Sequence, residues 1–226
     1  MIRGILIATT IFVIWEISCL FFELPAFMLP PPSKVFASIY ANWDELLIHA
    51  SYTLVEILAS IAIGSLIGIT TALIISSSLT LKRWIMPILL ASQSIPVFAL
   101  APLLILWLGY GMISKIVIGV LIVFFPITSN FTDALNKVPQ ELLDAGRTLN
   151  LSKIQLFWKI KIPSSLPGLC SGLRVASCFA PIGAVVGEWI GGSTGLGSFM
   201  IYSNARLQTD NMFAALLILI LMTITI

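Results

Sequence analysis

The sequence is poor in charge. Only 10% of its 226 residues are Asp, Glu, Lys or Arg, against 58% hydrophobic, where a soluble domain carries roughly 25% charged residues. Water cannot be the solvent for most of such a surface, so a lipid bilayer is implied. The net charge of +2, with cations spread through loops, excludes a basic face for nucleic acid. There is a single histidine, His49, with no Cys or His neighbour, so no metal site is expected. The three cysteines Cys19, Cys170 and Cys178 all lie in apolar stretches. On one helix the last two would stand about 12 Å apart, too far for a disulfide, and all three read as small core residues. No Gly-x-x-x-x-Gly-Lys-Ser/Thr loop occurs, so the chain cannot cradle ATP in that way. Paired aspartates, a Ser with a His, or a His-rich metal motif within a span would suit an intramembrane enzyme, and none is found.

What is present is a series of apolar windows at Gly4–Phe22, Ser51–Ser78, Trp84–Leu108, Met112–Phe131, Ser164–Val186 and Asn211–Ile226. A span takes about 20 residues, so about six transmembrane helices in one all-α domain are expected. The first window carries Glu16 and leads into Pro-rich sequence without a small-x-small site, which favours a retained helix over a cleaved leader. The last window reaches Ile226 with no basic end, and a truncated C-terminus is expected. Between the first two windows, Pro25 and the Pro30-Pro31-Pro32 run stop the first helix, and a short surface helix is predicted over Ser33–Tyr40.

Cations set the orientation. Placing Arg3, Lys82, Arg83 and the cluster from Lys137 to Lys161 in the cytoplasm leaves Lys34, Lys115 and Arg206 at or near the other face. The N-terminus is therefore read as cytoplasmic. Glu16, Glu56 and Arg174 fall within windows, where charge is expensive and functional by default; an ion-coupled secondary transporter would use them as a relay. Pro87, Pro96 and Pro102 should each interrupt the third window, beside a translocation path or as packing bends.

The connection between the fourth and fifth windows is long and patterned. From Val138 to Leu149, Pro139 suits a first helical position, Glu141 suits the positive helix end, and Val138, Leu142, Ala145 and Leu149 recur at helical spacing. Asp144 and Arg147 can pair at i, i+3. Asn150 tolerates the left-handed turn that ends such a helix. A second short helix over Ser152–Ile160 is predicted, stopped by Pro163. Too short to cross a membrane, the two-helix unit must dock on its own bundle, on lipid or on a partner.

The run Asp144-Ala145-Gly146-Arg147-Thr148-Leu149-Asn150, with Phe157 and Ile160-Lys161-Ile162-Pro163, resembles the EAA loop of binding-protein-dependent ABC importer permeases. Asp144 stands for Glu, Gly146 for the second Ala, Asn150 for Gly and Ile162 for Leu, each a mild change. Ser94-Ile95-Pro96, Gly172-Leu173-Arg174-Val175-Ala176 and Gly187-Glu188-Trp189-Ile190-Gly191 are similar to the nitrate/sulfonate/taurine branch. Gly187-Glu188-Trp189, the run Asn204–Asp210 and Met212–Ala215 are most similar to permeases for the hydroxymethylpyrimidine precursor of thiamine.

The resemblance implies a type I importer permease fold over residues 1–226, with a core module from about residue 47 and a cytoplasmic coupling loop at residues 138–163. It implies coupling through Glu141, Asp144, Ala145, Gly146, Asn150, Phe157, Ile160 and Pro163. Pro96, Arg174, Glu188 and Trp189 are candidates for the translocation path or gate, with Glu188, Trp189 and the Gly191–Gly197 turn at the outer end of the fifth helix. The implied partners are a second permease copy, two cytoplasmic ATPases and an extracytoplasmic solute-binding protein. ATP and magnesium belong to the ATPases, with no cofactor in this chain. The expected role is inner-membrane import of a small solute: the thiamine precursor, or else a sulfonate, taurine or nitrate.

Overall fold

The computed structural model describes residues 2–226, and among them every regular element is helical. The helices are α1 (Ile2–Phe21), α2 (Pro32–Ala41), α3 (Trp43–Ser77), α4 (Leu79–Ser92), α5 (Val97–Leu108), α6 (Met112–Asn136), α7 (Gln140–Thr148), α8 (Lys153–Leu156), α9 (Ile162–Gly191), α10 (Leu196–Ala205) and α11 (Thr209–Thr225), with a π-helical segment at Phe157–Lys161. Trp43–Ser77, Met112–Asn136 and the continuous Lys153–Gly191 stretch are long and apolar enough to cross a bilayer; Leu6–Phe21 and Thr209–Thr225 are apolar and shorter. The six apolar windows thus fall on helix except at their ends and at residues 93–96 of the third, and three of them lie on helices of full spanning length where about six spans were expected. Contacts divide the chain into two compact units: residues up to Val55 with Gly192–Ile226, and Glu56–Gly191.

In the first unit, α2 begins at Pro32, where a missing amide donor costs nothing. Glu16 closes that helix end: its two carboxylate oxygens accept from the Ser33 amide at 3.0 Å and the Ser33 hydroxyl at 2.8 Å. A carboxylate there meets both an orphan amide and the positive end of the helix dipole. The Ser38 hydroxyl of α2 donates to Asn211 Oδ1 of α11 at 2.6 Å. Val35, Leu46, Leu196, Phe199, Ala214 and Ala215 form the buried core of this unit. The predicted surface helix is therefore present, but docked on α11 rather than lying free.

In the second unit, the third apolar window is broken: α4 and α5 meet at 94°. Only Pro96 sits at the break, capping the start of α5, while Pro87 and Pro102 lie inside continuous helix. Three interruptions were expected and one is found. Proline disfavours helical conformation in the residue before it, and the amides of Gln93, Ser94 and Ile95 close tight turns onto Leu90, Ala91 and Ser92 instead of extending α4.

The α6–α9 pair forms the centre of this unit. Small residues let the backbones approach: a Cβ on Gly183 would lie 2.7 Å from Gly119 Cα, and one on Gly187 would lie 2.9 Å from Lys115 Cα. Cys170 and Cys178 are exposed and only Cys19 is buried, so two of the three cysteines are not core residues. Glycines and alanines of α9, such as Gly172, Ala176, Ala180 and Gly183, occupy its buried face instead.

Candidate functional site

The patterned connection folds as α7, a turn, α8 and the π segment, all within the second unit. α7 starts after Pro139, one residue later than expected, with Glu141 in its first turn and Arg147 in its last. Its end is a Schellman motif: the Leu151 amide donates to Gly146 O at 3.1 Å and the Asn150 amide to Arg147 O at 2.9 Å. Asn150 has φ 55°, the left-handed conformation foreseen for it. Ser152 then caps α8 through a capping box, its hydroxyl accepting from the Gln155 amide at 3.3 Å while Gln155 Oε1 accepts from the Ser152 amide at 3.0 Å.

Pro163 does not stop the second helix. The chain runs helically from Lys153 to Gly191. A proline ring normally collides with the carbonyl four residues before it. Here the preceding turn is π, with the Ile162 amide bonded to Phe157 O, and this widened turn admits Pro163 without breaking the helix.

Gly146 is the buried contact point of the unit. A Cβ there would lie 2.5 Å from Ile160 Cδ1 and 2.5 Å from Leu156 Cδ2, so α7 rests on α8 and the π segment through this position. The face that carries Leu142, Ala145 and Leu149 is not packed on the chain: Leu142 is 45% and Leu149 75% exposed, joined by Ile154 at 73% and Trp158 at 60%. Beside this row, Arg147 Nη1 lies 2.7 Å from Asp144 Oδ1. The pair is solvated and worth about 0.2–0.5 kcal/mol, so it orients the surface more than it stabilises it. Phe157 and Ile160 are half-buried under α7, and Pro163 is exposed.

A second constellation lies within the spans. Lys115 Nζ of α6 is 2.9 Å from Glu56 Oε1 of α3, and both side chains are buried. Glu188 of α9, fully buried, lies within electrostatic reach of Glu56. Lys115, expected at or near the non-cytoplasmic face, is an internal ion-pair partner. Its signal in the sequence was only its position as the fourth residue of the apolar window Met112–Phe131. Glu16 is committed to Ser33, and Arg174 is exposed, with no carboxylate paired to it among the described residues. The three groups proposed for an ion relay thus have separate roles. Trp189 lies tilted against Phe98, ring centroids 6.3 Å apart and planes at 49°, and Pro96 marks the break.

The Gly-rich turn after α9 is held in the first unit by side chains of α3. The Gly195 amide donates to His49 Nδ1 at 3.0 Å and the Leu196 amide to Thr53 Oγ1 at 2.8 Å. The lone histidine is thus a structural acceptor, further packed against Phe199.

Residues 64–226 match the family described as binding-protein-dependent transport system inner membrane component. A probable ABC transporter permease protein of Haemophilus influenzae is 46% identical over 97% of this chain and 90% of its own. The formylaminopyrimidine transport permease protein ThiX of Halalkalibacterium halodurans is 38% identical over 94% of this chain and 85% of its own. Permeases named for aliphatic sulfonate, taurine and nitrate transport are similar at lower identity. Among solved structures, an inward-facing form of the MetNI methionine ABC transporter shares the fold, with a TM-score of 0.67 at 20% identity, covering 80% of this chain and 92% of the other.

Proposed function

The chain belongs to the family of binding-protein-dependent transport system inner membrane components, and on that footing we propose that it carries a pyrimidine precursor of thiamine, with residues 138–163 as the surface driven by its ATPase. Membership makes it a multi-pass inner-membrane subunit of an ABC importer for a small solute, with ATP hydrolysed on a separate subunit and solute delivered by a binding protein.

The observation that carries the coupling assignment is the unpacked apolar row of Leu142, Leu149, Ile154 and Trp158 beside the Asp144–Arg147 pair. Helix-in-groove docking needs an apolar anchor and a polar group that fixes orientation, and this unit offers both. In this reading the unit and the N-terminus face the cytoplasm, and two copies of the chain stand together over two ATPases. Closure of the nucleotide dimer then pushes through α7 onto α8 at Gly146, and the continuous Lys153–Gly191 helix carries that movement into the bilayer. The pyrimidine cargo is supported by the Gly187-Glu188-Trp189 motif and by the 38% identity to a formylaminopyrimidine permease.

The test is uptake of radiolabelled hydroxymethylpyrimidine into proteoliposomes holding permease, ATPase and binding protein. Uptake should require ATP and the binding protein and survive a proton uncoupler. Uptake indifferent to ATP and abolished by the uncoupler would contradict the importer reading; ATP-driven uptake of an alkanesulfonate in place of the pyrimidine would contradict the cargo.

A further inference from the structure

Beside the break between α4 and α5 lies a cavity of about 440 Å³, lined by Gln93 and Val97 at the break, by Phe125, Ser129 and Asn130 of α6, and by Phe179 of α9. All of these residues belong to the Glu56–Gly191 unit. Its size falls within the range of small-molecule sites.

The polar groups of the lining are two carboxamides and a hydroxyl, and no charged side chain takes part; Arg174, next in sequence to the lining residue Val175, is not among them. Asn130 donates one amide hydrogen to Pro126 O at 2.8 Å, which leaves its Oδ1 and its second hydrogen for another partner. Pro126 has no amide, so the carbonyl of Ile122, a residue of the cavity lining, lacks its usual helical donor. Unmet backbone groups at membrane depth are tolerated where they face a cavity. A neutral solute with donors and acceptors on its edge satisfies such groups. An anion would enter with no cation to offset its desolvation. Phe125 and Phe179 add flat apolar surface suited to a ring.

We infer that this cavity is an intramembrane passage site that takes an uncharged, planar, nitrogen-containing ring and discriminates against anions such as sulfonates. The inference rests on the importer reading above. It is independent of which ring is carried.

Binding is measured directly, by saturation-transfer NMR on the permease–ATPase complex in nanodiscs, with hydroxymethylpyrimidine and an alkanesulfonate of similar size as probes at equal concentration. The pyrimidine should receive saturation and the sulfonate should not. Asn130→Leu, Gln93→Leu and Phe179→Ala should each cut the pyrimidine signal at least fivefold, and Asn130→Gln should restore part of it. The three changes lie on different segments, so a variant that does not assemble leaves the other two to decide. Equal signals from both probes, or assembled variants with undiminished pyrimidine signal, would overturn the assignment. Binding in nanodiscs without uptake in proteoliposomes would fault the cargo reading alone.

Discussion

Lys115 Nζ lies 2.9 Å from Glu56 Oε1, joining α6 to α3 through two side chains that are both buried. Removing one partner of such a pair leaves an uncompensated charge in a medium of low dielectric. That is far costlier than removing both.

Lys115→Met should therefore destabilise the chain by about 3–5 kcal/mol. Glu56→Leu combined with Lys115→Met should recover part of that loss, since Glu188 stays buried at the same place. Thermal unfolding in detergent, arranged as a double-mutant cycle, checks this; additive losses would show that the pair is not coupled.

Gly183→Ala should loosen the α6–α9 contact, because its Cβ would meet Gly119 Cα, a backbone atom that cannot swing aside, at 2.7 Å. Overpacking of this kind costs about 1–3 kcal/mol. Gly4→Ala, with nothing within 4 Å of the new carbon, is the control and should not lower the melting temperature.

Asn150→Gly should be neutral or slightly stabilising, since φ 55° suits glycine best. Asn150→Val should cost about 1–2 kcal/mol or more, because a β-branched side chain is strained in this region. Limited proteolysis across the Leu149–Ser152 turn reads the difference: faster cleavage is expected for the valine variant only.

Hydropathy located all six apolar windows, because a bilayer imposes composition over long stretches. It did not locate the break. Three prolines in one window look alike in sequence, and which one interrupts the helix depends on whether neighbouring amides can close short turns, as they do at Gln93–Ile95. The α7 unit was legible through local chemistry: Asp144 with Arg147, and Asn150 at a left-handed turn. Pro163 misled, since the π turn that accommodates it has no simple sequence mark. The Glu56–Lys115 pair was invisible because its partners are far apart in sequence and meet only once α3 packs on α6.

The central claim is that the α7 surface transmits ATP-driven movement, and Asp144→Lys tests it most directly by setting a second cation against Arg147 on the orienting face. In proteoliposomes holding the permease, the ATPase and the binding protein, ATP-driven uptake should fall at least tenfold while the variant still inserts in the membrane. Uptake at the wild-type rate would contradict the account.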